Sequence, residues 1–182
     1  MREDPRLHVL LTYLADNERH DPQDRLVRQV VRPRAHDACE YCLLPTSGQF
    51  QIDHAIPSAL WSACVAGQLH PAGGPISSRR RPDHLDTFAW CCAFCNLGKR
   101  QQVTYRIGTQ ALRLFDPRGD RWAEHFTFAN SYLLIVGLTP IGVATQRALG
   151  LNSGELSGPL GTRHDAILDG RYLLPWIILG SA

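Results

Sequence analysis

Apolar residues recur along this chain with two periods, and the changes of period mark its elements. Leu7, Leu10, Leu11 and Leu14 follow helical spacing, which predicts an amphipathic helix over 5–16 with Pro5 in its first turn. Asp21-Pro22 breaks the pattern. Leu26, Val27, Val30 and Val31 then predict a second short helix, ended by Pro33. From Phe50 the period falls to two. Phe50, Ile52 and His54 alternate with Gln51 and Asp53, a strand pattern that stops at Ala55-Ile56-Pro57. Phe88, Trp90 and Cys92 repeat the alternation. Phe126, Phe128 and the run 132–136 predict a hairpin turning at Ala129-Asn130-Ser131. Thr139-Pro140 reads as a helix start, with a hydroxyl cap and a first-turn proline, and Gly150 closes that helix. Residues 152–162 are rich in Gly and Ser and read as a linker, followed by a last helix over 165–176.

Composition adds limits. With 182 residues, 44% apolar and 20% charged, the chain suits one soluble domain or a small domain with additions. A net charge of +2 makes no case for a nucleic-acid partner. The type of cation says more: of the 19 Lys and Arg residues, only Lys99 is lysine. Arginine forks match phosphate, although GC-rich codon usage produces the same excess. Arg25, Arg28 and Arg32 on the second helix fit either a face lying on a nucleic-acid backbone or a solvated face of a packed helix, and Asp21, Asp24 and Asp37 dilute them. Arg79, Arg80 and Arg81 form the densest positive run, either a phosphate-tracking loop or a solvated one. No apolar run approaches a membrane span. The N-terminus lacks the apolar stretch of a signal peptide, so reduced thiols in the cytoplasm are expected.

The cysteines carry the chemistry. Cys39-Glu-Tyr-Cys42 and Cys92-Ala-Phe-Cys95 are two knuckles, and together they predict a closed four-thiolate zinc site. Cys91 lacks the spacing and reads as core; Cys64 reads as a small buried residue, and His70 and His84 as surface. Asp53 offers a hard oxygen suited to magnesium or manganese, and His54 offers an imidazole, the side chain most often used as a general base. Neighbours on a strand face opposite ways, so the two can serve one site only if the strand twists or bends there. A helix opening in the second knuckle puts Asn96, Lys99 and Arg100 within one turn. Further on, Arg121, Glu124 and His125 either line a substrate groove or belong to a structural extension, with Trp122 and Phe126 flanking them like core.

Cys39-x-x-Cys42, Phe50-x-Ile52-Asp53-His54-x-Ile56-Pro57 and Cys92-x-x-Cys95-Asn96-x-x-Lys99 resemble the HNH endonuclease family, in its variety with a four-cysteine zinc site. The resemblance spans roughly 38–152. It implies an α+β fold: a ββα-metal core stapled by zinc, a helical N-terminal lead-in and a small C-terminal α/β extension. Together with the periodicity and composition outside it, the resemblance divides the chain into a helical segment 1–38, a nuclease core 39–105 with an insertion at 58–84, an extension 106–151 packing on that core, and a linker and terminal helix 152–182. It implies that Asp53 and Asn96 hold a catalytic magnesium or manganese ion, that His54 is the general base, and that Lys99 is a basic helix position. Lys99 and Arg100 would hold a neighbouring phosphate, with Arg79, Arg80 and Arg81 on the substrate. Thr87 stands where the family's middle asparagine braces the loop that carries the histidine, and the gap from His54 to Asn96 is long. The expected activity is metal-dependent hydrolysis of DNA, with RNA as an open alternative substrate and double-strand breaks requiring either a homodimer or a second binding event. The competing expectation is a non-catalytic zinc module that binds nucleic acid or protein.

Overall fold

The computed structural model describes residues 21–22, 25–45, 50–61, 85–154 and 158–173. The expected helix over 5–16, the arginines at 79–81, Cys64, His70, His84 and most of the 58–84 insertion lie outside them. The described chain is of the α+β class, with three two-stranded antiparallel sheets and short helices.

Helix α1 (Arg25–Arg34) buries Val27 and Val31, one turn apart, and carries its charges on the rest of the surface. Pro33 lies inside α1 and does not end it. In the last turn a proline removes one hydrogen bond only, and the Ala35 N–H still reaches Val31 O at 3.1 Å. The helix stops where His36 and Asp37 take φ of 50° and 57°. Two arginines of this helix, Arg28 and Arg34, hold the protein itself, while Arg25 is exposed and Arg32 pairs with Asp37. Arg28 donates to Phe50 O at 2.7 Å and lies 4.8 Å over the Trp90 ring; Arg34 donates to the Leu85 and Phe88 carbonyls.

Strand β1 (Phe50–His54) pairs antiparallel with β2 (Phe88–Cys92), from Phe50↔Cys92 to His54↔Phe88. Phe50, Ile52 and His54 therefore share a face with Phe88, Trp90 and Cys92, and Phe50 stacks on Trp90 with centroids 5.6 Å apart. Helix α2 (Ala93–Lys99) follows β2 without a linker, and the Cys92 sulfur caps it by accepting from Cys95 N.

Beyond α2 come the hairpin β3 (Thr104–Ile107)–β4 (Gln110–Arg113), the single turn α3 (Trp122–His125) and the hairpin β5 (Phe126–Ala129)–β6 (Leu134–Gly137). The expected division at 105/106 falls inside β3. Asn130, Ser131 and Tyr132 all take positive φ in the β5–β6 turn, so the hairpin turns where the sequence indicated. Helix α4 (Pro140–Ala148) starts on the Thr139 hydroxyl, which accepts from Gly142 N at 3.1 Å, and Gly150 beyond its end has φ of 60°.

Helix α5 (Pro159–Leu168) begins inside the segment read as a linker, before Asp165. Its start signal is Pro159 in the first turn, which a Gly/Ser count overlooks. Burial holds it in place: Ala166 is fully buried, and Arg163, 1% exposed, donates to Leu133 O at 2.7 Å and Leu151 O at 2.9 Å. One apolar core runs through Val27, Cys39, Trp90, Phe115, Trp122, Leu149 and Tyr172, so knuckles and C-terminal elements share it. Among the described residues no helix is long and apolar enough to cross a membrane.

Candidate metal centre and active site

The register of β1 and β2 brings Cys92 beside Phe50, and the first knuckle folds over that end of the pair. Glu40, between the two knuckle cysteines, fastens it there: its N–H donates to Trp90 O at 2.9 Å and its carboxylate accepts from Trp90 N at 2.7 Å. Arg118 pairs with the same carboxylate. Cys39 N donates to Leu44 O, and Leu43 takes φ of 56° to close the turn. The four sulfurs of Cys39, Cys42, Cys92 and Cys95 are buried and lie within 4.8 Å of one another, and Cys42 and Cys92 are 3.7 Å apart. Sulfurs around a tetrahedral zinc with Zn–S of about 2.3 Å stand roughly 3.8 Å apart. The four cysteines can hold a zinc ion. Among the described residues they are the one such group of three or more His, Cys, Asp or Glu side chains.

The thiols differ in their readiness to ionise. Burial opposes ionisation of Cys39, but the thiols of Cys42, Cys91, Cys92 and Cys95 gather on its sulfur and hold it well below the ordinary thiol range. Cys95 is pushed well above that range by its contact with Cys39. A bound zinc ion would take the place of the shared protons. Cys91 is buried but belongs to β2 at Gln51, and its sulfur points to Cys92 O at 3.4 Å. It stays outside the ligand group, as its spacing indicated.

At the other end of β1 stand Asp53 and His54. Pairing runs regularly through His54↔Phe88, so no bend brings the two side chains to one face. The chain leaves the ladder only at Ala55, whose N–H donates to Thr87 O at 3.0 Å. Thr87 is fully buried and braces the end of β1 through its carbonyl. His54 is half-buried and meets the Phe88 ring edge-on, with centroids 5.0 Å apart.

Asp53 faces α2 and is buried. Its Oδ2 accepts from the Tyr41 hydroxyl at 2.6 Å and lies 2.9 Å from Lys99 Nζ, and its Oδ1 accepts from the same ammonium at 3.2 Å. Lys99 Nζ also donates to His54 O at 2.8 Å. Burial pushes the Asp53 carboxyl up; Lys99 and Tyr41 pull it back without cancelling that rise. Lys99 is 1% exposed and turns inward onto Asp53 and the His54 carbonyl, because its helix packs along the Gln51–Asp53 face of the strands. Asn96 donates to the Gln51 side chain, which shares the Asp53 face of β1 two residues earlier. Arg100 is exposed at φ of 52°, past the end of α2.

One carboxylate and one amide are donors of the kind that suit a hard cation keeping most of its waters. The arrangement brings Asp53 to Lys99 and Tyr41, and Asn96 to Gln51. His54 lies on the opposite face of β1. Tyr41 and Gln51 are the partners that sequence reasoning missed. Tyr41 is the second residue between two cysteines, and its only signal was an aromatic in a short knuckle. Of the C-terminal trio, His125 is buried with Nδ1 2.7 Å from the Thr139 hydroxyl, while Arg121 and Glu124 are exposed and 3.8 Å apart. His125 thus belongs to the structural extension.

Gly98 fixes the seat of α2. A Cβ there meets the Leu149 backbone, with Cα and O both at 2.8 Å. Gly98→Ala gains about 1 kcal/mol of helix propensity but must push α2 off the end of α4, an overpacking cost of about 1–3 kcal/mol. Net destabilisation is expected in urea unfolding; a more stable variant contradicts this packing.

No family model, curated protein or solved structure matches the chain.

Proposed function

We propose that this chain is a metal-dependent endonuclease of the HNH type that hydrolyses DNA, with His54 as general base. The reading is supported by one arrangement: an antiparallel strand pair runs directly into α2, four cysteines gather at one end, and Asp53-His54 stand at the other. His54, a half-buried imidazole on the opposite face of β1, would have to swing round the end of the strand to take the proton of the attacking water at the metal. Asp53 and Asn96 would hold magnesium or manganese, which supplies charge neutralisation at the scissile phosphate. Arg100, exposed beside this end of α2, is free to meet a neighbouring phosphate. Arg79, Arg80 and Arg81 are assigned to the substrate on charge alone. The zinc-binding cysteines do no chemistry and fix the knuckles to the strand pair.

The second reading, a zinc module that binds nucleic acid or protein without cutting it, is favoured by one observation: Asp53 is already neutralised by Lys99. Incubating zinc-loaded protein with supercoiled plasmid and with RNA, in magnesium and in manganese, separates the two. Conversion to nicked or linear DNA is expected. Intact DNA and RNA in both metals overturn the nuclease and leave the binding module.

A further inference from the structure

We infer that Lys99 is a tethered counter-ion for Asp53, and that a divalent cation reaches this carboxylate only by exchanging with the lysine ammonium. The purpose of such an exchange rests on the nuclease reading; the exchange itself does not.

The ammonium sits among oxygens: both oxygens of Asp53, at 2.9 and 3.2 Å, and the carbonyl of His54, at 2.8 Å. Those are acceptors enough for its three protons. Carboxylate and carbonyl oxygens are also what magnesium and manganese select. The cage is therefore cation-selective, and the chain fills it with a cation of its own. The two occupants exclude each other, because the ammonium bonds the same carboxylate oxygens that a metal would take.

The lysine has a way out. Lys99 is the last residue of α2, and Arg100 beyond it holds φ of 52°, a conformation non-glycine residues seldom keep. Fraying confined to Lys99 and Arg100, beyond the seat of Gly98 on Leu149, together with rotation of the lysine side chain, would move the ammonium without disturbing the β1–β2 ladder. Exchange also changes the charge of the site. With Lys99 inside, the cage is neutral; with a divalent ion inside, the cage carries one positive charge and the ammonium is released beside it. Positive charge would then be displayed toward a phosphodiester only once metal has arrived.

Lys99 is the single lysine of the chain, so its amine reports on its own position. Zinc-loaded full-length protein, without DNA, is treated with an acetylating reagent, and modification of Lys99 is followed by mass spectrometry of its peptide. Lys99 is expected to resist acetylation in metal-free buffer and to react at least tenfold faster in manganese or magnesium. In Asp53→Asn it is expected to react fast without metal and to show no metal dependence. Lys99→Gln, which keeps hydrogen-bond donors in the cage, is expected to bind manganese at least tenfold more tightly than the parent by titration calorimetry, and Asp53→Asn in that background to remove the gain. An acetylation rate indifferent to saturating metal overturns the inference, as does equal manganese affinity of Lys99→Gln and parent. DNA cleavage without exchange leaves the nuclease standing and sinks the exchange; exchange without cleavage does the reverse.

Discussion

Replacing Cys95 by Ser is expected to yield a chain that retains no zinc and shows no cooperative unfolding transition. The argument is one of magnitudes. Apparent binding energies of structural zinc are about 10–16 kcal/mol, and that energy belongs to folding because the site does not exist in the unfolded chain. The whole stability of a domain is roughly 5–15 kcal/mol. The sulfurs here also lie in the middle of the packed interior, in contact with the elements that surround them: Cys39 and Cys95 are fully buried within the shared core. Without the ion, only weak thiol contacts tie the sulfurs of the two knuckles together. Atomic absorption should find one zinc per parent chain, and circular dichroism with heating should show the loss in Cys95→Ser. Cys91→Ser is the control. It lies against the cluster but outside the ligand group, so it should keep its zinc and a sharp transition. A zinc-free yet cooperatively folded Cys95→Ser would show that the cysteines are only core.

The second large effect is catalytic. In the nuclease reading, His54→Ala is expected to reduce metal-dependent plasmid cleavage about 10²–10⁴-fold, the usual contribution of a positioned general base. Its structural cost should be small by comparison. Among its contacts the imidazole meets Phe88 edge-on, worth about 0.5–1.5 kcal/mol, and the backbone bonds of β1 are untouched. Cleavage rate and melting temperature therefore separate the two roles: the first collapses while the second moves by a few degrees. A variant that cuts at the parental rate would place the base elsewhere. One that loses both cleavage and cooperative melting would make His54 a packing residue.

Much of the local structure was legible. Thr139-Pro140 and Gly150 marked α4 because a hydroxyl cap, a proline and a glycine each act within one turn of themselves. The strand alternation placed Asp53 and His54 on opposite faces, and the ladder keeps them there. The two knuckles were legible because the spacing of two thiols on one turn is a local property. Lys99 was not, since i, i+3 and i+4 spacing groups Asn96, Lys99 and Arg100 without saying which of them faces β1. That depends on how α2 sits against Gln51 and Asp53, residues far away in the chain. Arg163 failed to show for the same reason: a buried arginine is tolerable only because the Leu133 and Leu151 carbonyls await it, and neither position announces that. Pro33 misled because the cost of a proline depends on how many turns remain after it, a property of where the helix ends.

The first knuckle depends on residues made long after it. The Tyr41 carbonyl accepts from Trp122 Nε1 at 3.0 Å, and the Cys42 carbonyl from the Tyr172 hydroxyl at 3.0 Å. During synthesis on a ribosome, Cys39 and Cys42 emerge well before the other two sulfurs exist. The carbonyls of Tyr41 and Cys42 find their partners only once Trp122 and Tyr172 have followed. Domains usually fold as units once their partners are present, and contacts this distant in sequence slow that step. Zinc captured early by two thiols would be held in an open, exchangeable form. The closed site waits for Cys92 and Cys95, and the knuckle carbonyls wait for Trp122 and Tyr172, which couples metal loading to the folding of the elements that follow.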